Sequence, residues 1–316
     1  MVVIDDIRAT RLDLPETVLT IGSFDGVHLG HRCILDRVVQ AARARNGTAA
    51  VLTMVPHPRR FFSPNHAPNL LTCEEKKERL LAEAGIDALI RLRFDASVAS
   101  MEPEAFVEEI LHGRCRTRAL IIGHDFRFGR GASGDYDLLA RLGPVYRFEV
   151  GQVEPLLIKG ERVSSTAIRE RIIEGDLAAA EEFLGRRYSI LGVVAGGRGI
   201  GRRMGFPTAN VLPHHSAVPA HGVYAAEVLI EGAVYPAAVN IGIAPTIRHE
   251  DITIEAHVMG FAGELVGKEI EIVFHRRLRP EQKFGDREEL VAQIARDVAR
   301  IRDYFASLRE DRPDQA

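Results

Sequence analysis

The order of strand-like and helix-like segments constrains the fold of this 316-residue chain more than any other feature of its sequence. From residue 17 to residue 143, apolar segments such as TVLTIG, AAVLTMV, DALIRLRF and RALIIG alternate with segments whose apolar residues recur every three or four positions, such as HRCILDRVVQAARARNG. The first pattern predicts buried strands and the second predicts amphipathic helices. Such alternation indicates right-handed crossovers and a parallel sheet covered on both faces. The first half is therefore predicted to be an α/β domain.

The pattern changes after two short predicted helices, STAIRERIIEGD and LAAAEEFLGR. Five strand-length segments follow without an intervening helix: YSILGVVAGG, GVYAAEVLI, AVYPAAVNIG, ITIEAHVMG and KEIEIVFHRRL. Their Gly-containing turns favour antiparallel pairing in a small closed barrel. A final amphipathic helix carries its apolar residues on one face, namely Leu290, Ile294, Val298, Ile301 and Phe305. We place the domain boundary near Gly185 to Tyr188, which gives domains of residues 1–186 and 187–316.

Composition excludes several classes of protein. Apolar residues make up 46% of the chain and charged residues 27%, as in soluble globular proteins. No apolar run approaches the roughly 20 residues of a spanning helix, and the first ten residues lack a signal-peptide pattern. We therefore expect a cytoplasmic protein with no membrane association. Three scattered cysteines argue against structural zinc and a disulfide framework. A net charge of -3 argues against nucleic acid as a partner, although local basic clusters suit phosphates.

The stretch TIGSFDGVHLGHR, residues 20–32, follows the first predicted strand and leads into the next helix. Ligands of a parallel sheet bind beyond the carboxyl ends of its strands, and a helix start attracts anions. His28 and His31 stand at that helix start, where two imidazoles can donate hydrogen bonds to a phosphate in nucleotidyl transfer. A metal pair that includes Asp25 is the alternative, but nothing else nearby fits a zinc site. A surface pair without function is the second alternative.

Three further stretches are predicted to meet at the same sheet edge. SSTAIRERIIEGD offers three hydroxyls at a helix start and Arg169 one turn later, which suits the β- and γ-phosphates of a nucleotide. Its alternative is a plain helix cap with an exposed arginine. GHDFRFGRGASGD, residues 123–135, and PHP, residues 56–58, each follow a predicted strand. The carboxyl ends of parallel strands share one edge, so these loops should converge on one crevice.

In the second half, AGGRGIGRRMGFPTANV combines four closely spaced glycines with Arg198, Arg202 and Arg203. This composition indicates a flexible basic loop around phosphate. It does not match the dinucleotide fingerprint G-x-G-x-x-G, and Pro207 blocks the helix that should follow. Within PTAN, Thr208 and Asn210 carry side-chain oxygens of the kind that magnesium accepts beside nucleotide phosphates. A turn without function is the alternative.

Glu255 alternates with apolar neighbours in the predicted strand ITIEAHV. On a solvent-facing side it is an ordinary exposed acid. On the inner face of a small barrel it is costly unless it is paired or catalytic, and it would then be a candidate general base. Periodicity alone leaves the choice between the two faces open.

In their order along the chain, these stretches resemble the bacterial bifunctional riboflavin kinase and FAD synthetase family. The resemblance extends from about Leu19 to Phe305 and rests on GSFDGVHLGH, PHP, GHDFRFG, SSTAIR with EGD, GFPTAN, GVY, NIGIAPT, the acid in IEAH, and LRPEQKF. It implies a Rossmann-like nucleotidyltransferase domain that adenylylates FMN to FAD. It also implies a six-stranded antiparallel barrel with a C-terminal helix that phosphorylates riboflavin to FMN. Both reactions would use ATP and Mg²⁺.

The resemblance also implies a role for individual residues. Catalytic roles fall to His28, His31, Arg169 and Glu255. Nucleotide-binding roles fall to Gly22, Phe24, Asp25, Gly26, Asp125, Ser164, Ser165, Thr166, Gly199, Gly205, Pro207, Thr208 and Asn210, of which Thr208 and Asn210 would also contact the metal. Flavin-binding roles fall to Pro56, His57, Pro58, Asp125, Phe126 and Phe128. As the base that takes the ribityl proton, Glu255 is expected on the inner face of the barrel.

Two positions depart from the family pattern. Gly260 and Val266 stand where relatives often carry an acid and an aromatic residue. We expect these changes to tune flavin contacts and to leave an active kinase. One alternative is a nucleotidyltransferase for another phosphorylated substrate, against which the GFPTAN segment counts. The other alternative is a catalytically decayed flavin-binding protein, which the retained candidate catalytic residues oppose.

Overall fold

The structure, a computed structural model, describes residues 1–9, 14–64, 68–197, 199–215, 217–245 and 250–310. Its internal contacts divide the chain into two compact units. Unit 1 comprises Met1–Leu70 and Glu74–Ser165, and unit 2 comprises Leu71–Cys73 and Thr166–Ala316. Within the ranges given above, no helix is both long enough and apolar enough to cross a membrane.

Unit 1 is built on six parallel strands in the spatial order β1-β4-β3-β2-β5-β6. They are β1 (Val2–Ile4), β2 (Thr17–Ile21), β3 (Ala49–Val55), β4 (Ala88–Arg93), β5 (Thr117–Gly123) and β6 (Glu149–Val153). The four predicted strands correspond to β2, β3, β4 and β5, so the predicted parallel sheet is confirmed. The edge strands β1 and β6 were not predicted. β1 has three residues and β6 includes polar ones, so neither has the long apolar run of a buried parallel strand.

Helices connect these strands and cover the sheet. They are α1 (Leu29–Ala44), α2 (Pro58–Phe62), α3 (Glu74–Glu83), α4 (Ala96–Ala99), α5 (Pro103–Ala105) and α6 (Tyr136–Tyr146). The helix predicted from EPEAFVEEIL begins as α5 and continues as a π-helix, Phe106–Arg114. A two-stranded hairpin, β7 (Leu157–Ile158) and β8 (Glu161–Arg162), precedes the end of the unit.

Alternate residues of each strand enter two separate cores, one on each face of the sheet. Val18 packs in the cluster that includes Leu35 and Val38 of α1. Its neighbour Leu19 packs in the cluster that includes Phe106 of the π-helix and Leu139 of α6. Successive side chains of a strand point to opposite faces, so a strand that is apolar at every position needs helices on both sides.

The strand order places a ligand crevice at the carboxyl end of β2. β2 pairs with β3 on one side and with β5 on the other. The chain runs outward from β2 to β3 and β4, and then returns to β5 on the opposite flank. Such a reversal of strand order leaves a crevice between β2 and β5, where ligands of open α/β sheets bind. The loops after β2, β3 and β5 therefore share one edge.

Unit 2 contains a closed six-stranded antiparallel barrel, as predicted. Its strands are β9 (Ser189–Ala195), β10 (Ala209–Pro213), β11 (Gly222–Ile230), β12 (Ala233–Pro245), β13 (Glu250–Val258) and β14 (Glu269–Arg279). Its helices are α7 (Ser165–Glu174, of which Ser165 belongs to unit 1), α8 (Leu177–Leu184), α9 (Ile200–Arg203) and α10 (Arg287–Glu310). Five strands had been predicted individually from the sequence pattern, whereas β10 follows the glycine-rich segment and is only five residues long.

The cross-strand register separates the inner face of the barrel from its outer face. Val239 pairs with Tyr224 and Ala256, and all three are almost fully buried inside the barrel. Ala238 lies on the opposite face of β12 and packs against the apolar residues of α10. Those residues are Ile294, Val298, Ile301 and Phe305, which confirms most of the predicted helix face. α10 therefore covers part of the outer surface of the barrel.

The division by contacts falls at Ser165 and Thr166, whereas the predicted domain boundary lies at residues 186 and 187. α7 and α8 are grouped with the barrel because the turn between them packs on it. A Cβ atom at Gly175, in that turn, would lie 3.1 Å from Ala220 and 3.5 Å from Arg277. The boundary at residue 186 stays a prediction.

Candidate active sites

The turn between β2 and α1 is tightly wound. Phe24, Gly26 and Val27 have φ values of 48°, 84° and 37°, in the left-handed region that non-glycine residues rarely adopt. The Phe24 ring is 2% exposed and belongs to the core, and a Cβ atom at Gly22 would lie 3.1 Å from it. The buried Phe24 ring therefore anchors the turn in the core. Its contact with a nucleotide remains a prediction. Asp25 is also buried.

The two histidines after this turn form one rigid pair. His28 is the N-cap of α1, and its Nδ1 accepts a hydrogen bond of 3.2 Å from the backbone N–H of His31. The two rings stack with centroids 3.6 Å apart and planes 17° apart. A Cβ atom at Gly30 would lie 3.2 Å from His28 Nδ1 and 3.3 Å from the Val163 carbonyl. A glycine at position 30 thus leaves space for the two stacked imidazole rings. Because Nδ1 of His28 accepts the cap hydrogen bond, the proton of the neutral ring resides on Nε2.

Two other predicted stretches approach this pair within unit 1. Ser165 Oγ donates a hydrogen bond of 2.9 Å to the carbonyl oxygen of Asp25. Arg162 Nη2 forms an ion pair of 2.6 Å with Asp125 Oδ2. These contacts join the segment before α7 to the loops after β2 and β5, as the sheet-edge argument predicted. Ser164 is half-buried between Val163 and Ser165.

Thr166 and Arg169 lie on the part of α7 that belongs to unit 2. Thr166 is exposed and Arg169 is half-buried. Their contacts with a nucleotide remain predictions.

The loop after β5 carries one exposed acid and two phenylalanines of different burial. Burial opposes ionisation of Asp125, but the hydrogen bond from Arg162 prevails and holds the pKa of this carboxyl below its ordinary value. Phe126 and Phe128 stack with centroids 5.7 Å apart. Phe128 is 4% exposed and packs on Phe106 in the core. Phe126 is therefore the more accessible aromatic surface of this loop, and Phe128 supports it.

The PHP loop follows β3 at the same edge of the sheet. His57 caps α2 by accepting a hydrogen bond of 3.2 Å at Nδ1 from the N–H of Arg59, and Pro58 occupies the first turn of that helix. The next residues include an aromatic pair that sequence reasoning missed: Phe61 and Phe62 are 39% and 64% exposed. Both rings meet Phe94 edge to face. The signal was the FF dipeptide, which begins five residues after the first proline of the motif.

In unit 2, three polar side chains form a row across neighbouring strands. Glu255 of β13 lies directly opposite Asn210 of β10 and directly opposite Asn240 of β12. Directly opposed residues share one face of a sheet, so their side chains are neighbours. Asn240 was missed as a candidate, although it is the first residue of the NIGIAPT motif.

The expected inward orientation of Glu255 is wrong. Its neighbours Ile254 and Ala256 are 2% and 1% exposed and belong to the inner face. Asn240, which pairs with Glu255, shares its face with Ala238 under α10, on the outer surface of the barrel. The six-stranded interior is filled by apolar side chains and leaves no room for a substrate. Glu255 is nevertheless partly covered, and burial raises the pKa of its carboxyl.

The glycine-rich segment between β9 and β10 folds against this row. Gly197 lies so close to Asn210 that a Cβ atom there would overlap the carboxamide of Asn210. A Cβ atom at Gly201 would lie 3.1 Å from Thr208 Oγ1. Glycines thus allow this segment to pass directly over Thr208 and Asn210. Arg198, one of its three predicted basic residues, lies outside the described residues.

The end of the same segment is fixed by β13. Gly199 and Gly205 have φ values of 64° and 87°, which bracket the single turn of α9. His257 Nδ1 donates a hydrogen bond of 2.8 Å to the Pro207 carbonyl, and its ring meets Phe206 edge to face. A pocket of about 480 Å³ opens beside this segment, lined by Arg203, Met204, Phe284, Asp286, Arg287 and Leu290.

The two departures from the family pattern lie in the turn between β13 and β14. Gly260 has a φ of 76°, so the backbone itself favours glycine there over an acid. Val266 is 57% exposed. Neither residue belongs to the row of Asn210, Glu255 and Asn240, so the chemical groups of that row are intact.

The donor set beside Glu255 fits magnesium bound together with a nucleotide. Within the described ranges, no group of three or more His, Cys, Asp or Glu side chains could hold a metal ion. Mg²⁺ does not need such a cage, because it commonly uses one or two protein oxygens together with water and phosphate oxygens. Thr208 and Asn210 carry neutral oxygens of this kind, and Asn210 lies directly opposite Glu255.

Two protein families match the two parts of this chain. The family described as FAD synthetase matches residues 11–167, and the family described as riboflavin kinase matches residues 184–305.

Curated relatives match most of the chain. The bifunctional riboflavin kinase/FMN adenylyltransferase of Escherichia coli (strain K12) is 40% identical over 289 residues, which cover 91% of this chain and 92% of that protein. The protein of the same name from Haemophilus influenzae is 36% identical over 290 residues, which cover 92% of this chain and 94% of that protein. A crystal structure described as a macrolide-efflux protein from Streptococcus pneumoniae has the same fold. Its TM-score is 0.86 at 27% identity, over 96% of this chain and 99% of that one.

Proposed function

The chain belongs to the family of bifunctional riboflavin kinase/FMN adenylyltransferases, and on that premise we propose which of its residues carry each reaction. It phosphorylates riboflavin to FMN with ATP and adenylylates FMN to FAD with a second ATP. In our proposal, unit 1 carries the adenylyl transfer and unit 2 carries the kinase reaction. The observation that supports this assignment most strongly is the direct opposition of Glu255 and Asn210 in the barrel.

In adenylyl transfer, an oxygen of the FMN phosphate attacks the α-phosphorus of ATP and pyrophosphate leaves. The nucleophile is already ionised, so the site needs hydrogen-bond donors for the α-phosphate and no general base. His28 offers its Nε2–H, because its Nδ1 is engaged by the helix cap. His31, stacked on His28, supplies the second imidazole.

The remaining groups of unit 1 bind the substrates in this proposal. The turn that contains Gly22 and Gly26, together with Ser164 and Ser165, receives the phosphates of ATP. Pro56, His57, Pro58 and Phe126 contact the flavin, with Phe128 supporting Phe126. The exposed Phe61 and Phe62 extend this apolar surface. Aromatic side chains at the edge of an apolar patch suit a planar ring.

In the kinase reaction, the terminal ribityl hydroxyl of riboflavin attacks the γ-phosphorus of ATP and ADP leaves. A hydroxyl must lose its proton as the new bond forms, and Glu255 accepts that proton. Burial raises the pKa of Glu255, which brings its basicity closer to the working pH and improves proton transfer. Asn240 and Asn210 lie directly opposite Glu255 on its two neighbouring strands.

Magnesium would be held by Thr208 and Asn210 together with the ATP phosphates. When bound, it would supply positive charge to the β- and γ-phosphate oxygens. The pocket beside Met204, Phe284 and Leu290 would take the planar flavin ring, because these three side chains are apolar. Gly199 and Gly205 would let the backbone of the glycine-rich segment approach the nucleotide.

We also propose that the enzyme works in the cytoplasm. Its three cysteines, Cys33, Cys73 and Cys115, are present as thiols, and a reducing compartment keeps them so.

Chromatography of flavins tests the assignment. Wild-type protein incubated with riboflavin, ATP and magnesium should yield FAD. His28→Ala should accumulate FMN, because only the second reaction is blocked. Glu255→Gln should leave riboflavin unchanged while still converting supplied FMN to FAD. FMN formation from riboflavin by Glu255→Gln at the wild-type rate would remove Glu255 from the catalytic role.

A further inference from the structure

The carboxylate of Asp297 is buried in the middle of α10, and the proposed chemistry makes no use of it. Its side chain is 3% exposed. Arg279 Nε donates to its Oδ2 at 2.9 Å, and Gln293 Nε2 donates to its Oδ1 at 2.9 Å. A buried ion pair is often no more stabilising than apolar residues of the same volume. Stability alone therefore does not account for the buried ion pair between Asp297 and Arg279.

Arg279 connects this carboxylate to the segment that follows β14. Besides Asp297, its guanidinium donates through Nη1 to the Pro280 carbonyl at 3.1 Å. It also lies 5.7 Å from the centroid of the Phe284 ring. One guanidinium thus contacts both the beginning and the end of residues 280–284, which we call the 280–284 turn. Because a guanidinium is planar, fixing its Nε edge on Asp297 also fixes the direction of its Nη1 group and of its face.

The 280–284 turn borders the proposed kinase site on two sides. Phe284 lines the pocket of about 480 Å³ together with Met204 and Leu290. The Glu281 carboxylate occupies the space that a Cβ atom of Gly242 would need. Gly242 lies two residues after Asn240 and therefore on the same outer face as Glu255. The turn is thus next to both the pocket and the row of Asn210, Glu255 and Asn240.

We propose that Asp297 and Arg279 are positioning residues of the kinase. Asp297 orients Arg279, and Arg279 holds the 280–284 turn so that Phe284 closes the flavin pocket. This inference rests on the proposed function, because it needs the flavin in that pocket. It concerns the acceptor of the phosphoryl group and leaves the residues that move the proton and hold the nucleotide as assigned above.

Asp297→Asn tests the proposal in the full-length protein. The substitution keeps size and shape but removes the charge that orients Arg279. We expect the KM for riboflavin to rise by about tenfold or more, because a displacement of about 1 Å in a positioning group has effects of this order. The kinase kcat at saturating riboflavin, the KM for ATP and the conversion of FMN to FAD should stay near wild type. Asp303→Asn, on an exposed position of the same helix, should leave all four quantities unchanged.

A purely structural role predicts a different result. Asp297→Asn would then lower the melting temperature without changing the KM for riboflavin, and that result overturns the proposal. If Asp297→Asn does not fold, Arg279→Lys decides. It keeps the positive charge near Asp297 but loses the planar group that contacts Pro280 and Phe284. A raised KM for riboflavin supports the proposal, and a wild-type KM overturns it.

A double variant separates positioning from an independent effect. Phe284→Leu alone should raise the KM for riboflavin, and adding Asp297→Asn should raise it little further, because both act through the same ring. If the KM for riboflavin of the double variant rose by the product of the two single effects, the proposed route through Phe284 would be overturned. If the wild-type protein formed no FMN from riboflavin, the proposed function would fail first and this inference with it.

Discussion

The contact between Gly197 and Asn210 allows the kinase site to be perturbed by a single methyl group. A Cβ atom at Gly197 would lie 2.0 Å from Nδ2 of Asn210, whereas normal contact begins at 3.4 Å. The carboxamide of Asn210 therefore has to retreat by about 1.4 Å in Gly197→Ala. Because the colliding atom is the end of a flexible side chain, the fold should tolerate the change. Misplacement of about 1 Å at a reacting group costs about 100-fold in rate, so we expect the kinase kcat/KM to fall by about that factor.

The assay follows both reactions of the same protein. Conversion of riboflavin to FMN reports the kinase, and conversion of supplied FMN to FAD reports the adenylyltransferase, which should be unaffected. Gly196→Ala is the matched control, because a Cβ atom at Gly196 meets nothing within 4 Å. It makes the same change of residue one position earlier in the same segment. Melting temperatures of the two variants should agree closely.

Two results would refute this reasoning. The first is a wild-type kinase rate in Gly197→Ala, which would show that Asn210 does not need its observed position. The second is an equal loss in Gly196→Ala, which would place the effect in the stiffness of the segment and not in the Asn210 carboxamide. Substituting Asn210 itself by Ala should give a loss at least as large as Gly197→Ala.

Three further predictions concern individual side chains. Glu255→Gln should lower the kinase kcat by about 10²–10⁴-fold and raise the melting temperature at neutral pH. The raised pKa means that the native state holds this proton more tightly than the unfolded chain does, so ionisation destabilises the fold as pH rises, and glutamine removes that loss. A melting temperature of Glu255→Gln below that of the wild type at pH 7 would contradict this prediction. His28→Asn retains a residue that caps helices, whereas His28→Ala does not, so both should lose FAD synthesis but only alanine should cost about 1 kcal/mol of stability. Equal unfolding curves for the two would show that the cap contributes nothing. Burial lowers the pKa of His215 to about 4. Between pH 6.5 and pH 4, His215 is therefore protonated in the unfolded chain but neutral in the native state. Stability should fall by up to roughly 3 kcal/mol between pH 6.5 and 4, and urea unfolding of His215→Gln should show a shallower decline.

The parts of the fold that depend on long apolar runs could be predicted from the sequence. β2, β3, β4 and β5 are buried at most positions on both faces, and each shows as a predominantly apolar segment. The edge strand β6 has the sequence EVGQV, whose polar residues are tolerated because one side of an edge strand has no neighbour. A strand therefore shows a clear apolar pattern in the sequence only where both of its faces are buried.

The loops of the proposed site in unit 1 could be grouped from the sequence because one rule places them at the same edge. The carboxyl ends of parallel strands meet at one edge, and the loops after β2 and β5 are indeed linked through the segment before α7. This rule could not predict that His28 caps helix α1. The cap depends on a single hydrogen bond to the next turn, and the stacking of the two rings depends on the packing around Gly30.

The face of Glu255 could not be predicted because alternation distinguishes two faces without saying which one encloses the core. In β13 the answer depends on Ala256, which pairs with Ala209 and Val239 on the two neighbouring strands, and on Ile254, which pairs with Ile241. Asn240 was missed for the same reason. Its proximity to Glu255 is a matter of register between β12 and β13, and register is set by the connecting turn and by packing.

In the proposed assignment, the acceptor explains why the two units use different residues. An FMN phosphate is already an anion, so unit 1 needs only donors, and His28 and His31 are held at a helix start by contacts that also stabilise the fold. The ribityl hydroxyl of riboflavin is not ionised, so unit 2 needs a base, and a useful base must be partly removed from water. Burial of Glu255 opposes its ionisation, and this carboxylate lies on the outer barrel face between two asparagines, not in the apolar interior, where the cost would be larger. The adenylyl site can therefore be stable and active with the same contacts, whereas the kinase site gives up stability for its chemistry.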